Sequence, residues 1–575
     1  MTEHAKPMVY EKRRWLILSL FIAGMLLLMW RAVDLQVISK DFLQEHGDAR
    51  ALRVVRIPAH RGMIMDRNGE PLAVSTSVNS IWATPRRVIS SDKDLAPLAA
   101  YLDTSVAELG KLLKERIGRE FVYLKRHVNP ALADKVMALN IPGISLEQEF
   151  RRYYPAGEVT AHLIGFTNID DTGQEGLELA YNDWLKSIPG EKRVLKDRLG
   201  RIIENVESIR TPSPGKNLEL SIDRRIQYLA YRELKAAVQT HNARGGSLVI
   251  LDTKTGEVVA MVGQPSYNPN NRSDMRGEYY RNRAVTDVFE PGSTLKPFTV
   301  AAGLESGVYT PQTMIDTRPG HFKVGNHTIR DSRNYGVIDV ATVIKKSSNV
   351  GASKIALSLE PNQLRKTLSD VGFGVVTGSG FPGEASGFLS ATNNWSEVGL
   401  ATIAFGYGLS VTALQLAQAY QIFATDGKML PVSFIKVNGT VAGRQVIAVE
   451  HAKQIRAMLE TVVEKEGTGT QAAVNSYRVA GKTGTVHKAT SGGYSEDRYL
   501  SLFAGFAPVE DPRLVMVIMI DEPKGQQYYG GQVAAPIFSR VMTGALRLMD
   551  IPPDNLPVLQ DNIIAGKTHS AGNLE

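Results

Sequence analysis

Glu290-Pro-Gly-Ser-Thr-Leu-Lys296 is the stretch that decides the fold of this chain. Its Glu-Pro-Gly turn predicts a helix that begins at or just before Ser293. Ser293 and Lys296 are three residues apart, so their side chains would lie on one helix face and could meet. A serine hydroxyl is a poor nucleophile unless a base takes its proton, and a lysine can be that base only if burial or a second cation lowers its pKa. The spacing therefore predicts an activated serine, and a second cation nearby would favour it.

Two further motifs strengthen this interpretation, because Ser-x-x-Lys alone is common at exposed helix starts. Ser347-Ser-Asn349 lies within a Lys-Lys-Ser-Ser-Asn-Val segment, and Lys482-Thr-Gly-Thr485 lies on a predicted strand that begins near Val479. The three motifs occur in the order of the serine-lysine acyltransferase set. They predict that Ser293, Lys296, Ser347, Asn349 and Lys482 meet in one pocket.

The strands around these motifs predict one sheet covered by helices. Two hairpins are expected, one from 247–252 with 257–262 and one from 499–507 with 514–520. Helices are expected at about 224–239 and 536–549, with further helices between the hairpins. Strands at both ends of a segment with helices between them indicate a single sheet closed by N- and C-terminal contributions.

Composition sets limits on the function. The chain has 575 residues, 43% hydrophobic and 22% charged, which is typical of a folded multi-domain protein. A net charge of +7 without a dense basic stripe argues against nucleic-acid binding. The absence of cysteine excludes disulfides, thiolate metal sites and a cysteine nucleophile. None of the eleven histidines belongs to a His-x-x-x-His pair with a companion Glu, so we expect neither a metal nor another cofactor.

The N-terminus predicts an uncleaved membrane anchor. Trp15 to Trp30 is an uncharged apolar run that can span a bilayer, with Arg31 at the headgroups. The basic residues before it outnumber the acidic ones, so the positive-inside rule keeps the first residues in the cytoplasm and exports the rest. A cleaved signal peptide or a buried core helix is disfavoured, because no small-x-small site follows and core helices are seldom apolar all round.

These features divide the chain as follows. We expect a cytoplasmic tail at 1–14, an anchor at 15–36, a non-catalytic domain at 37–215, a catalytic domain at 216–550 and a mobile polar tail at 551–575. The border near 215 follows from the turn-rich Thr-Pro-Ser-Pro-Gly segment that ends there. A helical continuation is expected at 37–44, and a polar, flexible loop without a role at 488–497. Tyr528-Tyr-Gly-Gly531 either lines a cleft or turns the chain.

The whole pattern resembles the class B penicillin-binding proteins of the division type. Beyond the three catalytic motifs, Arg61–Gly69, Arg152–Gly157 and Gly173–Glu178 resemble the pedestal motifs of that class. Phe405–Thr412, which includes Tyr407, is similar to a family stretch beside the active site. The resemblance extends from the anchor to about residue 550. We expect the charged residues of the pedestal motifs to form an inter-domain ion network; they are Arg61, Asp66, Arg67, Arg152, Glu175 and Glu178.

The resemblance implies an α/β (α+β) chain with a mostly antiparallel five-stranded sheet flanked by helices in the catalytic domain. It implies a septal peptidoglycan D,D-transpeptidase that is acylated by β-lactams at Ser293. Ser347 would relay a proton, Asn349 would bind the donor peptide, and the N–H groups of Ser293 and Thr485 would hold the oxyanion. The terminal carboxylate would bind at Lys482, Thr483, Gly484 and Thr485, with Tyr407 also contacting substrate.

The partners implied are stem peptides that end in D-Ala-D-Ala, amine acceptors, and a separate polymerase of the SEDS glycosyltransferase type with other divisome membrane proteins. No glycosyltransferase signature occurs before residue 215.

Two other functions stay open. One is a D,D-carboxypeptidase or β-lactam-hydrolysing enzyme, and the other is a non-enzymatic division scaffold or receptor. A β-lactamase would need a deacylating base, and the Glu360-Pro-Asn-Gln-Leu364 segment has the wrong residue order for one. A scaffold would tolerate loss of the nucleophile, and all three motifs are intact.

Overall fold

A computed structural model describes residues 11–42, 52–197, 202–271, 277–360, 362–391, 395–490 and 492–556. The chain divides into two compact units. The first comprises Met1–His60 with Ser187–Gly215, and the second comprises Arg61–Lys186 with Lys216–Glu575.

The strands are, in chain order, β1 (Leu52–Ile57), β2 (Ile64–Met65), β3 (Pro71–Ala83), β4 (Val122–Val128), β5 (Ile144–Tyr153), β6 (Gly190–Lys196), β7 (Ile202–Arg210), β8 (Leu218–Glu219), β9 (Gly245–Asp252), β10 (Val258–Gln264), β11 (Met314–Asp316), β12 (His321–Val324), β13 (His327–Arg330), β14 (Val337–Asp339), β15 (Lys428–Met429), β16 (Arg444–Gln445), β17 (Ala480–Thr490), β18 (Gly493–Ala507) and β19 (Leu514–Asp521).

The α-helices are α1 (Glu11–Val33), α2 (Pro85–Ile89), α3 (Ala96–Leu102), α4 (Val106–Glu115), α5 (Pro130–Ala138), α6 (Ala161–Ile164), α7 (Gly176–Ala180), α8 (Asn182–Leu185), α9 (Arg224–Thr240), α10 (Arg283–Thr286), α11 (Lys296–Glu305), α12 (Val340–Lys346), α13 (Asn349–Leu357), α14 (Gln363–Asp370), α15 (Glu397–Ile403), α16 (Ala413–Ala424), α17 (Val449–Thr461), α18 (Gly530–Val533) and α19 (Ala535–Leu548).

The first unit contains the apolar helix and a small sheet. α1 continues through a π-helical turn to Ile38, and Glu11–Ile38 is the one helix in the described part of the chain that is long and apolar enough to cross a membrane. The helical continuation predicted at 37–44 is described only as far as residue 42. β1, β6 and β7 form a three-stranded antiparallel sheet in the same unit.

The central element of the second unit is a five-stranded antiparallel sheet in the order β10-β9-β19-β18-β17. Alternate residues of each strand point to opposite faces. On β9, Leu248 and Ile250 pack with α9 and α19, whereas Val249 and Leu251 pack with α16. Because helices cover both faces of the sheet, its strands are continuously apolar in sequence. The predicted five-stranded sheet with flanking helices is confirmed.

The predicted hairpins and their flanking helices are also confirmed. The helix predicted at 224–239 is α9, and the helix predicted at 536–549 is α19. The prediction of a flexible loop at 488–497 is wrong, because β17 extends to Thr490 and β18 begins at Gly493. Polar residues there extend the hairpin beyond the sheet core, where ladder hydrogen bonds rather than burial hold the strands. The tail beyond residue 556 lies outside the described residues.

The charged residues of the three N-terminal motifs meet at Glu178, whose side chain is fully buried. Its two carboxylate oxygens accept from Nε of Arg61 at 2.7 Å and from Nε of Arg152 at 2.6 Å. Arg61 also donates to the carbonyl oxygens of Asp171 and Glu178. An ion network is therefore present, with one residue from each motif. It was predicted to lie between domains, but these three residues all fall within 37–215.

The remaining charges of these motifs differ from the prediction in part. Arg67 pairs with Glu257 beside β10 at 3.2 Å, which links the N-terminal part of the unit to the five-stranded sheet. Asp66 instead accepts backbone N–H groups, those of Asn68 and Glu70 in its own turn and that of Arg224 at the start of α9. Its role is to fix a turn against a helix N-terminus.

We expect Glu178→Gln to destabilise the protein by about 3–5 kcal/mol, since removal of one partner from a buried ion network leaves the other charges uncompensated. Two buried guanidinium groups would lose their counter-charge. Thermal unfolding of the purified protein measures this change. Glu115→Gln, which removes one partner of an exposed pair with Lys111, is the control and should unfold like the wild type. Equal unfolding of both variants would contradict a stabilising role for the network.

Candidate active site

Ser293 lies in a short 3₁₀ turn, Gly292–Leu295, that leads directly into α11. The sequence predicted a helix start here, and the structure makes its first turn tighter than an α-helix. Side chains at i and i+3 are eclipsed in 3₁₀ geometry, so Ser293 and Lys296 face the same side. Lys296 Nζ lies 3.0 Å from Ser293 Oγ.

Lys296 is fully buried and surrounded by four oxygen atoms. Its Nζ is 2.5 Å from the carbonyl oxygen of Ser347, 2.7 Å from Oδ1 of Asn349, and 3.0 Å from the hydroxyl groups of both Ser293 and Ser347. The two shortest contacts are to carbonyl oxygens, which can only accept. Nδ2 of Asn349 donates to the carbonyl of Arg330, so that amide is oriented with its oxygen toward Lys296.

This surrounding fits a neutral amine. An amine with two N–H groups satisfies the two carbonyl oxygens, and its lone pair then faces the hydroxyl groups. Burial is the main cause that holds the pKa of Lys296 well below its usual value, and the nearby ammonium group of Lys482 lowers it further, while Asp331 opposes both. Burial also lowers the pKa of Lys482 to about 7. Both effects named from the sequence, burial and a second cation, therefore act on Lys296.

The Ser-Ser-Asn motif occupies the kink between two helices. Ser347 ends α12 in the left-handed conformation with φ 61°, and Ser348 caps the start of α13 through the N–H of Gly351. This kink turns both the carbonyl and the hydroxyl of Ser347 toward Lys296. A non-glycine residue in this conformation is uncommon, and such strain often occurs at functional sites.

Asp331 holds this kink, and the sequence analysis did not identify it. Its carboxylate accepts from the Ser348 hydroxyl at 2.6 Å and from the N–H groups of Asn349 at 2.5 Å and Val350 at 3.1 Å. These contacts satisfy N–H groups at the start of α13, which have no partner inside the helix. One sequence feature could have indicated Asp331, namely its position directly after strand β13. No motif spacing, however, connects Asp331 to Asn349.

The third motif lies on β17, one of the two edge strands of the five-stranded sheet. Because one side of an edge strand has no neighbouring strand, a row of its backbone groups can face a ligand. A Cβ atom on Gly484 would come within 3.0 Å of the Thr294 side chain, so glycine allows the strand to approach the turn that carries Ser293. Thr483 exchanges a hydrogen bond with Thr468 at 2.9 Å, and Thr485 accepts from the N–H of Gly530.

Tyr407 lies against the end of this motif. Its hydroxyl accepts from the backbone N–H of His487 at 3.4 Å, and its ring meets Tyr494 edge to face at 5.2 Å. Tyr494 donates to Glu290, which also accepts from the N–H of Gly408. Tyr494 was not predicted as a site residue, because its polar segment indicated a loop without a role.

The Tyr528–Gly531 segment, left open by the sequence, packs on the same hairpin. Tyr528 stacks on Tyr499 of β18 with ring centroids 4.2 Å apart. Gly530 begins α18 directly beside β17, where a Cβ would meet the carbonyl oxygens of Gly484 and Leu502 at 2.3 Å. The segment thus both turns the chain and borders the third motif.

The structure brings three predicted residues, Ser293, Ser347 and Asn349, into hydrogen-bond contact with the amine of a fourth, Lys296. Lys482 acts on the same amine through its charge. Thr483, Gly484 and Thr485 continue along β17, and Tyr407 contacts the backbone two positions beyond them. Among the described residues, no group of three or more His, Cys, Asp or Glu side chains is arranged to hold a metal ion.

Comparison with protein families gives two matches. The family described as "Penicillin binding protein transpeptidase domain" matches residues 246–543, and the family described as "Penicillin-binding Protein dimerisation domain" matches residues 56–220. The first therefore covers all three motifs around Lys296. The second covers the buried network at Glu178.

Curated relatives match along nearly the full chain. The probable peptidoglycan D,D-transpeptidase PbpC of Pseudomonas aeruginosa is 44% identical, covering 94% of this chain and 96% of that protein. The peptidoglycan D,D-transpeptidase FtsI of Escherichia coli is also 44% identical, covering 94% of this chain and 92% of FtsI. The probable transpeptidase PenA of Neisseria meningitidis is 40% identical over 95% of this chain and 94% of its own length.

Solved structures agree with these matches. Penicillin-binding protein 3 of Mycobacterium tuberculosis, solved in complex with aztreonam, is 27% identical with a TM-score of 0.68, covering 87% of this chain and 98% of that one. The transpeptidase domain of Burkholderia pseudomallei penicillin-binding protein 3 is 41% identical with a TM-score of 0.55, covering 59% of this chain and 98% of that domain. The chain belongs to the class B penicillin-binding proteins of the division type, the family of the peptidoglycan D,D-transpeptidase FtsI.

Proposed function

We propose that the chain cross-links peptidoglycan through an ester formed on Ser293 during septal wall synthesis. The observation that carries this proposal is the position of Lys296 Nζ, 3.0 Å from Ser293 Oγ and buried among oxygen atoms. In the first step, neutral Lys296 takes the hydroxyl proton while Ser293 attacks the carbonyl between the two terminal D-alanines.

Backbone N–H groups stabilise the charge that develops on that carbonyl oxygen. Ser293 lies in the turn before α11, and Thr485 lies on the edge strand that approaches this turn, so the N–H groups of both residues are suited to form the oxyanion hole. Such preorganised donors act where charge appears, in a site that excludes bulk water.

The leaving amine and the substrate carboxylate need separate groups. The Ser347 hydroxyl lies 3.0 Å from Lys296 Nζ, which suits it to pass a proton from Lys296 to the departing D-alanine amine. Asn349 binds an amide of the donor peptide. Lys482 with the hydroxyls of Thr483 and Thr485 binds the terminal carboxylate, because a cation and hydroxyl donors match an anion. Gly484 and Tyr407 border the same peptide.

An amine of a neighbouring stem peptide then attacks the ester and completes the cross-link. A β-lactam would acylate Ser293 in the same way and leave an ester that hydrolyses slowly. The alternatives are a hydrolase and a non-enzymatic scaffold. A hydrolase needs a group that activates water at the ester, and a scaffold has no use for a buried, neutral lysine beside a serine.

The N-terminal helix supports a single-pass protein of the inner membrane, with residues 1–14 in the cytoplasm and the catalytic domain in the periplasm. We assign residues 37–215 to a pedestal and 216–550 to the transpeptidase domain. Glycan polymerisation would come from a SEDS-type glycosyltransferase and assembly from other divisome membrane proteins, which would bind the anchor and the pedestal.

Ser293→Ala should abolish covalent labelling by a fluorescent penicillin, because it removes the attacking oxygen. In-gel fluorescence followed by peptide mapping of the wild-type adduct measures this. Ser306→Ala is the control, since its hydroxyl donates to the carbonyl of Gly303 and accepts from the N–H of Val308, both at the far end of the same helix. An adduct that persists in folded Ser293→Ala would exclude this nucleophile.

Lys296→Ala should remain folded and lose roughly 10²–10⁴-fold in the acylation rate constant, the usual contribution of a general base. Stopped-flow acylation by a chromogenic cephalosporin gives the rate. Lys345→Ala, on α12 outside the contacts of Ser293, should acylate at the wild-type rate. Near-normal acylation of Lys296→Ala would show that another group takes the proton.

The acylation rate constant should rise with pH as Lys296 loses its proton, with a midpoint well below the usual lysine value. The cation of Lys482 disfavours protonated Lys296, so Lys482→Gln should raise the pKa of Lys296 and move the midpoint to higher pH. Lys346→Gln, whose ammonium pairs with Glu466, should leave the midpoint in place. A midpoint that stays fixed or moves down in Lys482→Gln would contradict the proposed coupling of the two lysines.

A further inference from the structure

The two threonines of the third motif present their hydroxyl groups on one face of β17. Thr483 and Thr485 are two residues apart on a strand, so their side chains point to the same side. Gly484 lies between them, and a Cβ on it would point to the other side, 3.0 Å from the Thr294 side chain. The two hydroxyl groups are therefore suited to meet one group of a ligand together.

A carboxylate imposes a condition on the two hydroxyl groups. An ionised carboxylate can only accept hydrogen bonds, and a threonine hydroxyl has one proton to donate. The oxygen of Thr485 accepts from the backbone N–H of Gly530 at 3.0 Å, and an N–H group can only donate. The proton of Thr485 is therefore not used by Gly530 and is available to a carboxylate.

Thr483 has a different partner, the hydroxyl group of Thr468. The two oxygen atoms are 2.9 Å apart, and either hydroxyl can be the donor. If Thr483 donates, its proton is used within the protein. If Thr468 donates, the proton of Thr483 is free for a ligand. A bound carboxylate accepts the proton of Thr483 and so favours the second arrangement, in which the two hydrogen bonds polarise and strengthen each other.

The loop that carries Thr468 is fixed on both sides. The N–H of Gly469 donates to the carbonyl of Val462 at 2.9 Å, which closes the loop directly after α17. A Cβ on Gly531 would lie 2.3 Å from the carbonyl oxygen of Thr468, so glycine lets the start of α18 pack against this residue. Thr468 is thus held between two helix ends with its hydroxyl at Thr483.

We propose that Thr468 is a positioning residue for recognition of the substrate's terminal carboxylate, through the hydrogen bond that it donates to Thr483. The inference rests on the proposed function, in which Lys482, Thr483 and Thr485 bind that carboxylate. Thr483 keeps only 7% of its surface accessible, so the direction of its hydroxyl decides what it offers to a ligand. Thr468 sets that direction and thereby favours substrates with a free C-terminal carboxylate.

The experiment compares two acylating agents that differ only in charge, using the full chain in detergent. Benzylpenicillin has a carboxylate in the place of the donor's terminal carboxylate, and its methyl ester has none. Competition with a fluorescent penicillin gives the second-order acylation rate constant for each compound. The ratio of the rate constants for acid and ester reports carboxylate recognition separately from the chemistry at Ser293.

Thr468→Val should lower the rate constant for the acid roughly fivefold, the usual effect of one hydrogen bond between neutral groups. The rate constant for the ester should stay at the wild-type value, because the ester has no carboxylate to bind. Thr468→Ser keeps the hydroxyl and should restore the rate with the acid. Thr470→Val, a matched change at an exposed threonine two residues further on, should behave like the wild type.

A double-mutant cycle tests whether Thr468 acts through Thr483. Thr483→Val should lower the rate constant for the acid by itself. Thr468→Val should then cause no further loss, because the hydroxyl that it orients is gone. Additive losses in the double variant would overturn the proposal, since Thr468 would then act independently of Thr483.

The proposal is also overturned if Thr468→Val lowers the rate constants for acid and ester equally, which would indicate a structural role, or if it changes neither. A wild type that is acylated without preference for the acid would remove the carboxylate site itself and this inference with it. A wild type that is not acylated at all would instead contradict the proposed function.

Discussion

The catalytic arrangement depends on one buried amine. Lys296 has no exposed surface, and a charged ammonium in such a place would cost several kcal/mol in lost hydration. The protein does not recover that cost with a direct carboxylate partner, because the atoms in hydrogen-bond contact with Nζ are carbonyl and hydroxyl oxygens. Deprotonation costs less free energy, and a deprotonated lysine is the base that our proposal assigns to the attack by Ser293.

The five-stranded sheet makes this burial possible. Helices cover both of its faces, and Lys296, at the start of α11, is fully buried. β17 is one of the two edge strands of this sheet, and it carries Lys482, whose charge acts on Lys296. A sheet must usually protect such an edge from pairing with other chains, and our proposal makes this edge the surface that meets the peptide.

Much of this arrangement could be predicted from the sequence. The features that were not predicted share one physical reason. The apolar runs of β9 and β19 and the helix pattern of α9 gave their elements within two residues, because local periodicity determines them. Asp331 and Tyr494 were missed because their roles come from contacts between distant segments, with Asn349 and Glu290 respectively. The first turn at Ser293 was predicted as a helix but is 3₁₀, a difference that hydrophobic periodicity does not report.

The clusters at Glu178 and at Lys296 both bury basic side chains, but they offset the cost of burial in different ways. Arginine keeps its proton at any physiological pH, so Arg61 and Arg152 need the counter-charge of Glu178 to be buried. Lysine can lose its proton, so Lys296 can be buried without a paired acid. Asp331, the acid that raises the pKa of Lys296, has its carboxylate occupied by Ser348 and the first N–H groups of α13. The structural cluster therefore pairs arginine with glutamate. The cluster proposed to be reactive surrounds lysine with uncharged oxygen atoms, because that lysine must be able to gain and lose a proton.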